Sequence, residues 1–129
     1  DLKFVTKAKW EADRLSANKM LEAWRVDVES TDSDRLRRHY SRSFKAPRGQ
    51  SLDGWLTKLE QSTLGARKIE VALRDVTLFR YPDGKDQKEM IVAAFTQEAV
   101  IGKGKHVTRK RQYWAKEGAQ WKIVSEVNL

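Results

Sequence analysis

The sequence predicts an α+β domain in which three N-terminal helices pack on a curved antiparallel sheet. In the first half, apolar residues recur at three- and four-residue steps, which is typical of helices with one buried face. After Gly65 the period changes to two, which indicates strands. Because the helices precede the strands along the chain, the two kinds of element are segregated as in α+β folds, and the sheet is expected to curl around the helices.

The first helix is defined by its apolar stripe and is expected to end near residues 30–32. Its upstream limit stays open, because residues 1–10 have a less regular pattern and fit either a linker or a helix extension. The residues that share the apolar face are Ala17, Met20, Leu21, Trp24 and Val28.

Two serines are predicted to begin the next helices. Ser33 is the expected N-cap of a short second helix through Tyr40, because its hydroxyl can accept a backbone N–H that the first turn leaves unpaired. A loop with a short strand at Phe44 follows, and Ser51 is the expected N-cap of the third helix. The apolar stripe of that helix is Leu52, Trp55, Leu56 and Leu59.

The second half is predicted to form four strands in a meander. The apolar parity of the first strand slips at Arg74-Asp75, which a β-bulge explains. Turn signals separate the following strands, which are expected at residues 90–101, 107–116 and 121–127. The turns lie at residues 82–84, 102–104 and 118.

Length and composition limit the kind of protein. The 129 residues fit one domain, residues 1–129, with a 40% hydrophobic content that supports a core. Cysteine is absent, which excludes disulfides, thiolate metal sites and a cysteine nucleophile. No apolar run is long enough to span a membrane or to act as a signal peptide. Since the chain opens at Asp1 without a Met, we expect a fragment of a longer protein or a processed product.

The chain is basic, with 26 Lys and Arg against 18 Asp and Glu and a net charge of +8. Six basic residues and no acidic residue lie between Arg35 and Leu52, and five more basic residues lie between Lys103 and Arg111. These two basic patches are suited to nucleic acid, anionic lipid or an acidic polymer, and the charge alone does not choose among them.

The order of elements resembles the nuclear transport factor 2-like superfamily over almost the whole chain. A narrower set of motifs is similar to the domain C-terminal to the catalytic part of some bacterial L,D-transpeptidase-like proteins. In that group the first helix also carries an Ala-Trp pair and the second ends on Tyr. The matching motifs are Ala23-Trp24, Tyr40, Phe79-Arg80-Tyr81-Pro82, Phe95-Thr96-Gln97, residues 108–114, Glu117-Gly118 and residues 121–124.

The resemblance implies a cone-shaped fold whose helices and concave sheet face enclose a pocket, used by some relatives for catalysis and by others for binding or dimerisation. For the envelope group, it implies a non-catalytic accessory domain that supports a peptidoglycan-modifying enzyme in the periplasm or cell envelope. The implied partners are a covalently attached catalytic domain or peptidoglycan, and a homodimer is compatible. Fold alone does not decide among these roles.

The histidines give no persuasive base for the proton transfer that enzymes of this fold perform. His39 precedes Tyr40 in an Arg-rich helix, whose geometry is expected to turn it to an exposed basic face. His106 follows Gly104-Lys105 at a turn, where exposure is again expected.

The acidic residues are explained mostly by capping or solvation. Those at helix starts favour the exposed N–H groups. Glu98 lies in a largely apolar strand, yet a solvated position is the simpler expectation. We find no metal-spaced cluster, Gly-rich phosphate loop or nucleophile elbow, and expect no cofactor, metal or catalytic residue. The acids considered are Asp27, Asp32, Asp34, Asp53, Asp75, Glu98 and Glu126.

The best binding candidates alternate on one strand. Arg109, Arg111 and Tyr113 share one face, whereas Lys110, Gln112 and Trp114 share the other, and one of these faces is expected to line the cone. An Arg beside aromatic rings suits a carboxylate or sugar-peptide ligand. Solvated cations with a core aromatic are the alternative.

Three further candidate ligand-binding residues complete this site. Gln97, on the neighbouring strand, is expected to add an amide to the Arg109 face, and Tyr40 and Trp55 are the other two. For Trp55, as for Trp24 and Trp121, core packing is the default.

The leading functional hypothesis is therefore a non-catalytic binding or accessory domain of a bacterial cell-envelope protein that supports an L,D-transpeptidase-like enzyme. The alternative is a small-molecule isomerase, dehydratase or hydrolase that uses the cone pocket. Nucleic-acid binding through the basic patches is disfavoured, because the aromatic residues do not form one exposed stacking platform.

Overall fold

The structure is a computed structural model that describes residues 7–46, 49–62, 69–82 and 89–129. The turn predicted at 82–84 lies mostly outside these residues. The described elements, in chain order, are α1 Lys7–Ser30, α2 Ser33–Arg37, β1 Tyr40–Lys45, α3 Leu52–Ser62, β2 Ile69–Pro82, β3 Glu89–Ile101, β4 Gly104–Glu117 and β5 Gln120–Asn128.

The five strands form one mixed sheet in the order β1-β5-β4-β3-β2. Strands β2 to β5 are the predicted antiparallel meander. The prediction of an antiparallel sheet is wrong in one respect, because β1 pairs with β5 in parallel, with Tyr40 opposite Ile123. A parallel partner is reached through a crossover, here α3 and β2 to β4, and local periodicity carries no information about such a distant pairing.

The helical segments comprise two helices of substantial length and one short segment, α2, of five residues. The prediction that the second helix continues to Tyr40 is wrong, because α2 ends at Arg37. Asp32, not Ser33, is its N-cap, and the Asp32 carboxylate accepts from the N–H groups of Asp34 at 2.9 Å and Arg35 at 3.3 Å. An ionised carboxylate is the stronger acceptor at this position. Ser51 caps α3 as predicted, accepting from Gly54 N at 3.1 Å.

The predicted β-bulge in β2 is confirmed. The register with β3 shifts between Arg74 and Thr77, and Asp75 has a φ of 53°, in the left-handed region. A bulge bends a strand and strengthens its twist, so β2 curves around the helices. The turn after β3 is also confirmed, because Gly102 adopts a φ of 60° that favours glycine.

The main core lies between the helices and the inner face of the sheet. Trp24 on α1 and Trp55 on α3 are buried there, and Trp121 is partly buried against them, so the predicted packing role of these rings is confirmed. Phe95 on β3 and Ile123 on β5 are fully buried and complete this core from the sheet side. Large rings from both layers are what hold the helices over the sheet.

Helix α1 also covers the edge of the sheet at β2. The Arg25 guanidinium donates to the carbonyl oxygen of Val71 at 3.0 Å, and the Glu29 carboxylate accepts from Val71 N at 2.8 Å. Arg25 and Glu29 also form an ion pair at 3.0 Å. These contacts satisfy backbone groups that an edge strand otherwise leaves open to pairing with other chains.

Candidate functional site

A cavity of about 270 Å³ lies between the helices and the inner face of the sheet. Apolar side chains of α2, α3 and β2, among them Leu36, Leu56 and Val71, form part of its wall. Polar side chains from β3 to β5 share the same space, and they come from alternate positions because alternate residues of a strand face one side of the sheet. The polar residues of these strands that line it are Gln97, His106, Thr108, Lys110 and Asn128.

The buried end of the cavity carries an ion pair between β4 and β5. The Lys110 ammonium lies 2.9 Å from Glu126 Oε2, with side chains 5% and 0% exposed. Lys110 also donates to Asn128 Oδ1 at 2.9 Å and lies 5.3 Å from the ring centroid of Trp55. A buried charge is tolerated only when it is paired and hydrogen-bonded, and both conditions are met here.

Glu126 accepts hydrogen bonds from two further side chains. The Tyr40 hydroxyl donates to Oε1 at 2.9 Å, and Gln112 Nε2 donates to the same oxygen at 2.8 Å. The network extends to two indoles, because Trp24 Nε1 donates to the Tyr40 hydroxyl at 3.2 Å and Trp114 Nε1 donates to Gln112 Oε1 at 3.1 Å.

The protonation of Tyr40 follows from this setting. Burial, and then the negative charge of Glu126, raise the pKa of Tyr40 well above its usual value. Tyr40 therefore stays protonated at neutral pH and acts as a donor to Glu126, so this hydroxyl is not a base.

Gln97 is a polar residue of the cavity with an unpaired side-chain atom. Its side-chain oxygen is buried and has no hydrogen-bond partner among the described residues. Buried polar atoms are normally satisfied, so an unpaired one beside a cavity indicates a place where a ligand atom or a water binds.

A second charged cluster lies where α1 meets α2 and β1. Asp27, which lines the cavity, lies 2.6 Å from His39 Nε2 and 2.9 Å from the Arg35 guanidinium. The predicted exposure of His39 is wrong, since its side chain is 17% exposed. The helical geometry behind that prediction does not apply, because α2 ends before His39, whose carbonyl accepts from Ile123 N at 2.7 Å. His39 is not among the cavity-lining residues.

The predicted site residues on β4 lie on the outer face of the sheet. Arg109 pairs with Thr96 and Arg111 with Ala94, whereas Gln97 pairs with Thr108 on the inner face. The expectation that Gln97 joins the Arg109 face is therefore wrong, because Gln97 and Thr96 are adjacent and face opposite sides of the sheet. Arg109, Arg111 and Tyr113 do not line the cavity, and the face of Lys110, Gln112 and Trp114 is the inner one.

The remaining candidates divide between the core and the surface. Tyr40, as a member of the network, and Trp55, beside Lys110, are buried in the core rather than in the cavity wall. His106 is exposed as expected, yet it lines the cavity mouth. Glu98 is on the outer face with Arg74 at 2.6 Å, and this guanidinium lowers the pKa of the Glu98 carboxyl.

Sequence reasoning missed the importance of Lys110, Glu126 and Asn128. The alternation along β4 did place Lys110 on a candidate inner face, but it gave no partner for the charge.

Among the residues that the structure describes, no cluster of His, Asp or Glu is arranged to hold a metal ion. Within the same ranges, no helix is both long and apolar enough to cross a membrane.

Two longer bacterial proteins contain a similar fold. Bd1075 from Bdellovibrio bacteriovorus superposes with a TM-score of 0.79 at 22% identity, over 97% of this chain and 44% of that chain. A mutant of Pgp2, the helical cell shape determining protein of Campylobacter jejuni, superposes with a TM-score of 0.77 at 15% identity, over 98% of this chain and 43% of that chain. The present chain thus spans less than half the length of either protein.

A similar fold also occurs in a protein that is named as an enzyme. A putative scytalone dehydratase from Novosphingobium aromaticivorans has a TM-score of 0.70 at 10% identity, over 94% of this chain and 85% of that chain. At such identities the likeness shows the fold alone, which hosts both accessory and enzymatic members. No curated protein sequence matches the chain significantly.

The family is shown by the sequence itself. The family model described as the Cds6 C-terminal NTF2-like domain matches residues 16–127, which include α2, α3, strands β1 to β4, most of α1 and all but the last residue of β5. The NTF2-like α+β fold predicted from the sequence is the fold of this family, with a mixed five-stranded sheet in place of the predicted antiparallel one. The chain therefore belongs to the Cds6 C-terminal NTF2-like (nuclear transport factor 2-like) domain family.

Proposed function

We propose that this domain is a non-catalytic binding and accessory module of a bacterial cell-envelope protein, where it supports a peptidoglycan-modifying, L,D-transpeptidase-like enzyme. The observation that carries the proposal is the hydrogen-bonded, charge-neutralised network around Glu126 at the buried end of the cavity. The charges of Lys110 and Glu126 neutralise each other. Tyr40 and Gln112 each donate a hydrogen bond to the same carboxylate.

A general base must be positioned to reach a substrate proton and must be free to accept it. Glu126 is fully buried and already accepts three hydrogen bonds. Asp27 is held by Arg35 and His39. These arrangements favour holding a ligand over transferring its protons.

The cavity itself supports binding of a small group. Its volume of about 270 Å³ is near the lower end of ligand pockets, which span roughly 300–1,000 Å³. Its wall is partly apolar, with a few polar atoms at defined positions, as in sites that fix the orientation of a ligand. A single sugar or amino-acid unit is of suitable size.

The envelope location and the attached enzyme are proposed from the longer proteins that contain this fold. Pgp2 is named as a cell shape determining protein, and its chain is more than twice as long as the part that this domain matches. In the proposed arrangement the domain holds peptidoglycan near the catalytic domain of the same polypeptide, in the periplasm.

The test is calorimetric titration of the chain with soluble peptidoglycan fragments. Ala99 lines the cavity and is buried, so Ala99→Leu places a larger side chain in the ligand space. We expect saturable binding that Ala99→Leu abolishes and that Ala119→Leu, at an exposed turn, preserves. Absence of binding, or equal binding by Ala99→Leu, contradicts the proposal.

A second candidate function is a small-molecule isomerase, dehydratase or hydrolase. It is favoured by the Asp27–His39 pair at 2.6 Å, since a carboxylate that orients an imidazole is a common acid–base unit. Mass spectrometry of fragments incubated with the chain tests it. New products that Asp27→Asn no longer makes would establish the enzyme, and unchanged fragments would support the binding module.

A further inference from the structure

We propose that the cavity recognises a neutral secondary amide, which donates its N–H to Gln97 and accepts from Lys110 at its carbonyl oxygen. This inference rests on the proposed binding function and names the ligand chemistry of that site. Both N-acetylated sugars and peptide stems contain such an amide, so either source satisfies the same two contacts.

The first step concerns the unpaired oxygen of Gln97. An amide oxygen accepts hydrogen bonds and cannot donate them, so its partner must carry an N–H or O–H. Leaving this atom buried and unpaired costs stability, and a ligand donor removes that cost. The ligand therefore presents a donor to Gln97.

The second step concerns the ammonium group of Lys110. It has three N–H donors, and two of them bind Glu126 and Asn128. The third donor has no hydrogen-bond acceptor among the described residues, although the ammonium also lies 5.3 Å from the ring centroid of Trp55, and Lys110 is part of the cavity lining. The ligand therefore presents an acceptor to Lys110.

The third step concerns the charge of the ligand. Lys110 and Glu126 form a buried pair at 2.9 Å, so the inner end of the cavity has no net charge from these two groups. A carboxylate ligand at Lys110 would place a second anion close to Glu126, where burial strengthens their repulsion. A neutral donor and acceptor avoid this repulsion, and an amide combines both in one rigid group.

The fourth step concerns the positions of the two side chains. Gln97 pairs with Thr108 and Phe95 pairs with Lys110, so Gln97 and Lys110 are diagonal neighbours on the inner face. Diagonal residues of an antiparallel pair lie roughly 7–8 Å apart, within reach of one group held between long side chains. Apolar side chains such as Val71 and Leu56 provide contacts for the carbon atoms beside the amide.

The experiment compares ligands that differ only in the amide. N-acetylglucosamine and glucosamine form one pair, and N-acetyl-D-alaninamide and D-alaninamide form the other, with dissociation constants measured by NMR titration of the chain. We expect at least one amide ligand to bind tenfold or more tightly than its amine counterpart. The pair that discriminates identifies the source of the amide, and equal affinities within both pairs overturn the inference.

Substitution of Gln97 provides an independent readout. Gln97→Leu removes the amide and also removes the unpaired oxygen, so we expect amide binding to weaken at least tenfold while the melting temperature does not fall. Thr96→Val, on the outer face, is the matched control and keeps the wild-type affinity. Wild-type amide affinity in Gln97→Leu contradicts the inference.

The two proposals fail in different ways. If peptidoglycan fragments bind and Ala99→Leu blocks them, but neither amide pair discriminates, the amide inference is wrong and the binding function stands. If no fragment and no amide ligand binds, both are wrong.

Discussion

Breaking the Lys110–Glu126 pair is expected to destabilise the domain strongly. The ammonium and carboxylate are 2.9 Å apart and almost fully buried, so either charge left alone has little access to water. Removing one partner of a buried pair costs about 3–5 kcal/mol. Glu126→Gln keeps an oxygen that can accept from Tyr40 and Gln112 but leaves Lys110 uncompensated. Lys110→Met leaves the carboxylate uncompensated instead.

The double variant Lys110→Met/Glu126→Gln separates charge from packing. It removes both charges while it keeps similar volumes, and replacement of a whole buried pair is often close to neutral. We therefore expect the two single losses not to add: with the double variant close to neutral, the coupling free energy has a magnitude of about 6–10 kcal/mol. Each single variant should also melt on the order of 10 °C lower than the wild type.

Urea unfolding followed by circular dichroism and tryptophan fluorescence measures these free energies. Thr108→Val, on the same strand, is a control without a described charge partner. Single losses below about 1 kcal/mol that add in the double variant would refute the reasoning, because they are the behaviour of a solvated surface pair.

Three further predictions follow from individual contacts. Tyr40→Phe should lower the free energy of unfolding by about 1–2 kcal/mol at neutral pH. Because the pKa of Tyr40 is raised in the folded state, the stability advantage of the wild type is complete below pH 10 and shrinks above it. Urea unfolding across pH 7–11 measures this difference. Glu29→Ala should accelerate hydrogen exchange at the Val71 N–H, measured by NMR, and unchanged protection would mean that α1 does not cap this strand. Phe79 is 43% exposed on the outer face, so Phe79→Glu should leave the melting temperature unchanged, measured by circular dichroism, and a clear fall would mean that this ring packs in the core.

The fold could be predicted to the extent that it depends on local patterns. The stripe through Trp24 and the parity slip at Arg74-Asp75 are such patterns, and each identified its element correctly. The parallel pairing of Tyr40 with Ile123 joins residues far apart in the chain, and no periodicity within either strand reports it.

The candidate site was harder to predict because a second β-bulge alters the parity of β5. The register between β4 and β5 shifts between Tyr113 and Trp114, so Ile123 and Glu126 both point inward although simple alternation places them on opposite faces. Simple alternation therefore places Glu126 on the outer face of the strand, where acidic residues are usually solvated. Its pairing with Lys110 follows only once that register is known.

Mapping the binding surface tests the central claim most directly. A ¹⁵N–¹H NMR titration of the chain with peptidoglycan fragments should shift resonances on the inner face, at Gln97, Thr108 and Asn128. Shifts confined to Arg109 and its outer-face neighbours, or no shifts at all, would contradict the claim that the cavity is the ligand-binding site of this domain.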